Sequence, residues 1–84
     1  MLPDSETIRN AARAAASELT GKSIKDGQKL VSSGLVDSLA VLKLISLLEK
    51  KLNIVLPPET LQPEDFDDLA LIVETIERVG KAGK

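Results

Sequence analysis

The side chains in this chain that could do chemistry are few, and the missing types decide more than those present. There is no Cys and no His. A Ser–His or Cys–His nucleophile pair is therefore impossible. Zinc loses its two commonest ligands, and no disulfide framework can hold the fold. A Ser–Lys pair is conceivable, but no pocket is expected that would lower a lysine pKa. No Gly-rich phosphate loop of the Walker or dinucleotide type occurs, and no acidic spacing matches a calcium loop. Seven acids and no base lie between Glu59 and Glu77. They read either as a solvated face or as a negative surface favourable to basic partners.

One stretch stands apart: Gly34-Leu35-Val36-Asp37-Ser38-Leu39. Asp37 falls where a long loop meets a helical pattern, so it can serve as the N-cap. Its carboxylate would accept from the amide of Leu39 or Ala40. Ser38 is then the first helical residue, and its hydroxyl projects from a helix N-terminus. Orphan amides and the helix dipole favour an anion there, so a phosphodiester built on Ser38 would sit in a favourable field. Gly34 supplies backbone freedom for the turn, and Leu39 is expected to open the buried stripe. Local physics alone is satisfied by a plain capping pair.

The elements that must position these residues are helices separated by loops. Over residues 5–19, Ile8, Ala11, Ala12, Ala15 and Leu19 form one apolar stripe. Asp4 or Ser5 can cap the start, and Thr20-Gly21 ends it. Residues 20–37 have the composition of turns. A loop of this length in a small domain is often functional, and Ile24, Leu30, Val31, Leu35 and Val36 are expected to pin it to the core. Over 38–52, Leu39, Leu42, Ile45, Leu48 and Leu52 make the expected main stripe, widened by Val41, Leu44 and Leu47. A helix this apolar is either central to a small bundle or carries a binding face. Asn53 ends it. Pro57-Pro58 forbids a long helix, leaving room for a short one over 58–61, and Pro63-Glu64-Asp65 marks a further turn. The last helix is expected over 68–79, capped by Asp67 and stopped by Gly80, with residues 80–84 a flexible tail. Ile54-Val55-Leu56 is the one β-branched run, too short to found a sheet. The predicted fold is all-α: a small bundle of three to four helices, one domain over 1–84, with a long loop between the first two.

At 84 residues one compact core is the limit, and a deep walled active site is hard to build. The formal net charge is -2, which argues against a nucleic-acid binder, and Phe66 is the sole aromatic, so stacking on nucleic-acid bases has almost no chemical basis. No apolar run approaches the ~20 residues of a membrane span. Asp4 and Glu6 sit where a signal peptide would be basic. A soluble, cytoplasmic monomer is the expectation. The starting Met and lone-domain length favour a free-standing chain.

The stretch around Ser38 resembles the Asp-Ser-Leu attachment motif of acyl and peptidyl carrier proteins, and the order of elements resembles that family across nearly the whole chain. The resemblance implies that a phosphopantetheinyl transferase attaches the 4'-phosphopantetheine of coenzyme A to Ser38, with Asp37 and Leu39 as flanking motif residues. It implies a carrier that is not an enzyme. Cargo would ride as a thioester, loaded by an adenylating enzyme or acyltransferase and passed to a downstream transferase or synthase. The chain also departs from a common pattern. Fatty-acid carriers tend to have an acidic second helix, often Val-Glu-Leu after the serine, whereas here Leu42-Lys43-Leu44 stands. From Ser38 to Asn53, Lys43, Lys50 and Lys51 oppose Glu49 alone. The Gly-Leu-Val-Asp-Ser-Leu form with a Pro-Glu-Asp-Phe loop resembles free-standing carriers of specialised pathways, including D-alanyl and other aminoacyl carriers. Val41, Lys43 and Leu44 are candidate partner-recognition residues; for Val41 and Leu44, with Leu47, packing against the loop and the short helix is the first reading and docking against an enzyme the second. The competing function is an unmodified helical adaptor domain. A DNA-binding module is disfavoured by the acids crowding the last helix.

Overall fold

The computed structural model describes residues 2–83. Three α-helices build the frame: α1 (Ser5–Thr20), α2 (Ser38–Leu52) and α3 (Leu69–Val79). Between α2 and α3 the chain makes two single 3-10 turns, Pro58–Thr60 and Pro63–Phe66, where the prolines preclude a longer helix. Two short strands, β1 (Ile54–Val55) and β2 (Lys81–Ala82), pair antiparallel, Ile54 with Ala82 and Val55 with Lys81. The expected flexible tail is thus corrected as far as Gly83: residues 81–82 are paired and the Gly83 amide donates to the Asn53 carbonyl at 2.8 Å. Lys84 lies outside the described residues. The β-branched run that is too short to found a sheet alone gains its partner only when α3 returns the chain beside it.

Each helix begins at an aspartate. The carboxylates of Asp4, Asp37 and Asp68 accept from the amides of Thr7, Ala40 and Leu71, each at 2.8 Å, satisfying a donor that the first turn leaves unpaired. The cap of α3 is Asp68 rather than the expected Asp67, because Asp67 is drawn to a different task described below. α1 ends at Gly21 and α2 at Asn53, both left-handed at φ 73° and 52°, a conformation that Gly and Asn tolerate best.

The core holds Phe66, its largest fully buried side chain, with Ile8, Leu30, Leu44, Leu48, Leu56, Leu69, Ile72 and Ile76, all essentially inaccessible. Burial of each such side chain contributes about 1.5–3 kcal/mol. Ala12, Ala15 and Ala16 are also fully buried. Their small side chains let α1 pack against both α2 and α3.

The buried stripe of α2 differs from the expected one. Val41, Leu44, Leu48 and Leu52 face the core, while Leu39 and Leu42 are 72% and 60% exposed. The expected series advanced by three residues at a step, and each such step turns the helix by about 300°, drifting about 60° around the axis. After three steps Leu39 and Leu48 stand on opposite sides. Lys43, Ser46 and Lys50, all exposed, mark the solvent side at the same angles as Leu39.

Candidate functional site

Asp37 carries the junction between loop and helix. Its backbone is extended at φ -89°, ψ -178°, its side-chain oxygen takes the Ala40 amide, and its carbonyl takes the Val41 amide at 2.9 Å. Ser38 follows as the first helical residue and is exposed. By helix geometry the amides of Ser38 and Leu39 have no intrahelical acceptor, so the positive end of the helix lies around the Ser38 hydroxyl.

The loop that delivers Asp37 to this position is tied down at several points. Ile24, Leu30 and Val36 are buried, and Val31 and Leu35 pack against the core edge. Arg13 of α1 reaches the Ile24 carbonyl at 2.6 Å and the Asp26 carboxylate at 2.5 Å. The Asp67 carboxylate accepts from the amides of Leu30 (3.2 Å), Val31 (2.9 Å) and Ser32 (2.9 Å) and from the Ser32 hydroxyl (3.2 Å). These bonds, that from the Ser32 amide foremost, hold the Asp67 carboxyl below its ordinary value of 3.8. The Leu30 amide also reaches the Asp67 carbonyl at 2.6 Å, and Leu30 in turn accepts from the Val36 amide at 2.8 Å. Between them Gly34, at φ 84°, makes a left-handed turn that costs a residue with a Cβ more than glycine. Next to Asp67, Asp68 takes Lys29 at 3.1 Å. Its cap bond to Leu71, then Lys29, lowers the Asp68 carboxyl, and the same contact raises Lys29.

Ser38 stands at the mouth of a small crevice of about 100 Å³ between α2 and the two 3-10 turns. Val41, Leu42 and Ile45 form one wall, and Pro58, Leu61 and Phe66 the other. Of the expected site residues, Asp37, Ser38 and Leu39 are exposed together at the start of α2, and Lys43 is exposed on the same helix. Val41 and Leu44 are corrected: at 4% and 0% exposure they pack in the core rather than on an exposed face of α2, and Val41 reaches the surface only as lining of the crevice. Leu39 and Leu42 hold the exposed apolar positions instead. The signal that could have found them was the polar series Lys43, Ser46 and Lys50, which shares their side of the helix.

The acids of 59–77 separate in the fold. Asp67 and Asp68 serve the loop and the α3 cap. Asp65 accepts from the Gln62 amide at 3.0 Å and faces Arg78 at 3.8 Å. Glu77 takes the Ser5 hydroxyl. Glu59, Glu64, Glu74 and Glu77 are exposed, so a part of the stretch faces solvent rather than a continuous acidic surface. Among the described residues no cluster of acids has the arrangement of a metal site.

What this arrangement can do is present one hydroxyl. Asp37 beside it engages one carboxylate oxygen, Oδ1, in the cap. The positive helix end suits a phosphodiester at this hydroxyl, and exposure leaves room for a transferase to reach it, so the residues present fit a phosphopantetheine group. No curated protein and no solved structure matches the chain. The family described as "phosphopantetheine attachment site" matches residues 6–76, a span that takes in most of α1, the loop, all of α2, both 3-10 turns and most of α3. Domains of that family carry covalently attached 4'-phosphopantetheine on a serine and are carriers rather than catalysts. The match extends over most of a chain whose fold holds the exposed Ser38 at a capped helix start, and the chain belongs to the phosphopantetheine attachment site family of carrier proteins.

Proposed function

We propose that Ser38 is the attachment serine, flanked by Asp37 and Leu39, and that the protein presents an acyl or aminoacyl group to the enzymes of a specialised biosynthetic pathway. The observation that carries this reading is the position of Ser38: exposed, first in a capped helix, and at the end of a loop held by Asp67. When bound, the group supplies a thiol on a long arm, the nucleophile that the Cys-free chain lacks, and cargo is held on it as a thioester. The chain's own share is to hold the anchoring hydroxyl on a rigid element, to favour a phosphodiester there through the helix end, and to offer a surface for partner enzymes to read. Those partners are a phosphopantetheinyl transferase, a loading enzyme of the adenylating or acyltransferase kind, and a downstream transferase or synthase. The carrier acts as a monomer in the cytoplasm, where coenzyme A is at hand.

The test is direct. The purified apo protein is incubated with coenzyme A and a broad-specificity phosphopantetheinyl transferase, and its intact mass is measured. A single covalent addition that maps to Ser38 and is absent from Ser38→Ala is expected. An addition that persists in the mutant would place the attachment elsewhere, and no addition to the wild type would favour the unmodified adaptor.

A further inference from the structure

Residues 66 and 67 bear on Ser38 from two directions. Phe66 walls the crevice at whose mouth Ser38 stands. Its neighbour Asp67 holds the loop that leads into Ser38. The Asp67 carboxylate gathers the amides of Leu30, Val31 and Ser32 with the Ser32 hydroxyl, and its carbonyl shares the Leu30 amide. The Leu30 carbonyl accepts from the Val36 amide at 2.8 Å, and inside that ring the Gly34 amide donates to the Val31 carbonyl at 3.0 Å. The Ser33 hydroxyl adds a brace, donating to the Lys29 carbonyl at 2.7 Å and accepting from the Leu35 amide at 3.3 Å. Val36 is buried and is followed directly by the cap, Asp37. Residues 30–36 are thus a closed ring, fixed at one end by Asp67 and delivering the cap at the other. The turn that carries Asp67 is anchored on α3 in its turn, where the Thr75 hydroxyl donates to the Asp65 carbonyl at 3.3 Å. The residues that hold α2 on the core, Val41, Leu44, Leu48 and Leu52, all follow the exposed Asp37, Ser38 and Leu39, so the placement of these three depends on the loop side as well.

We propose that Asp67 is a positioning residue for the modification of Ser38: through the ring of residues 30–36 it fixes Asp37 and Ser38 in the arrangement that the transferase engages. The proposal deepens the carrier reading and rests on it. In that reaction Ser38 Oγ bonds to the pantetheine-side phosphorus of coenzyme A, the pyrophosphate bond breaks, adenosine 3',5'-bisphosphate leaves, and the hydroxyl proton passes to a base of the transferase. Asp67 touches none of the reacting atoms. It acts by preorganisation: a hydroxyl already held in place needs no ordering on binding, whereas one at the end of a loosened loop must be ordered at each encounter. That ordering is complete before the chemical step, so loss of Asp67 is expected in KM more than in kcat.

The experiment measures steady-state modification by coenzyme A and a broad-specificity phosphopantetheinyl transferase, with the concentration of the full-length carrier varied, at a temperature where melts show every protein folded. Wild type, Asp67→Ala and Asp67→Asn are compared with a control in α1, Ile8→Val or Ile8→Ala, whichever melts closer to Asp67→Ala. Ile8 is fully buried near the start of α1 and lines neither the loop nor the crevice. Asp67→Ala is expected to lower kcat/KM about tenfold, within the range for a reacting group misplaced by a distant change, with most of the loss in KM. Asp67→Asn keeps an acceptor oxygen and should recover part of that loss; it carries the test if Asp67→Ala does not fold. The control should match the wild type. In the isotope-labelled chain, Asp67→Asn should move the amides of residues 36–40 along with those of 30–32, and leave the first half of α1 in place. Unchanged kinetics in both Asp67 variants, a loss confined to kcat, or a control that loses as much as Asp67→Ala would overturn the proposal. So would amide shifts that stop at residue 33, which would cut the link from Asp67 to Ser38. Each of these outcomes leaves the carrier reading intact, because the wild type is still modified on Ser38. No addition to the wild type overturns the carrier reading, and the role of Asp67 with it.

Discussion

Asp37 and Ser38 share one helix start and have separable duties there. Ser38 is exposed and makes no contact on which the core depends, so Ser38→Ala should change stability by no more than about 0.5 kcal/mol while abolishing the mass addition. Chemical denaturation and intact mass measure the two effects. Asp37 is the cap, its carboxylate 2.8 Å from the Ala40 amide. Asp37→Ala leaves that donor without its partner and should cost about 0.5–2 kcal/mol. It should also slow modification, because the first turn carrying Ser38 frays and the transferase loses a flanking contact. Asp37→Asn, which retains an acceptor oxygen, should recover most of the stability. If Asp37→Ala kept both its melting temperature and its modification rate, the capping geometry would have no part in presenting the serine.

At the scale of elements, the loop and α3 are joined through Asp67. One carboxylate gathers three amides and a hydroxyl from residues 30–32, and this bundle sets where the chain turns at Gly34 and reaches Asp37. Asp67→Ala should destabilise the fold by about 1.5–2 kcal/mol, the lower part of the range for bonds to a charged acceptor because water can replace some of them. The folded-state pKa of Asp67 is depressed from 3.8. Its contribution is therefore present in full above the unfolded value and is lost as pH falls through the folded one. Asp4 is lowered too, by Thr7, through its side chain first and then its cap amide, and Asp68 by its cap bond to Leu71. Denaturant unfolding followed from neutral pH to about pH 2.5 should show stability falling once these carboxylates take up protons. Asp67→Asn, which cannot titrate, should have lower stability at neutral pH and a shallower acid limb. Parallel acid limbs in wild type and Asp67→Asn would show that this carboxylate is not a source of the pH dependence.

For the whole molecule the distribution of charge decides which partners can approach. Lys43 is exposed on α2, and the acids of α2 and the adjoining α1 end are engaged by Leu56 and Lys51. An enzyme that grips an acidic second helix meets repulsion here. Lys43→Glu should therefore improve loading by fatty-acid enzymes such as a malonyl transferase and weaken loading by the carrier's own enzyme. Because the site is exposed, each effect should be modest, act mainly on the association rate and shrink at high salt. Steady-state loading of both proteins by both enzymes, at low and high ionic strength, measures this. Equal loading throughout would move partner choice to another surface, with Glu59, Glu64 and Glu74 the exposed acids to examine next.

Composition and short-range pattern determined a good deal by themselves. The lack of His and Cys removed the usual nucleophile pairs and zinc sites, and the helical periodicities with their capping aspartates located α1, α2 and α3 to within a residue or so. The Asp37-Ser38-Leu39 stretch is local chemistry, legible because a cap and the residue after it depend on backbone geometry a few residues long. Distant neighbours decided the rest. Both Asp67 and Asp68 suit a cap, and only the arrival of the loop at residues 30–32 assigned Asp67 to the loop and Asp68 to α3. Ile54-Val55 and Lys81-Ala82 lack the length to be strands alone and became so through each other. Which leucines of α2 are buried was also a tertiary matter. With apolar residues around much of the helix, its own pattern allowed more than one stripe, and packing against α1 and the 3-10 turns selected Val41, Leu44, Leu48 and Leu52, leaving Leu39 and Leu42 outside beside Ser38.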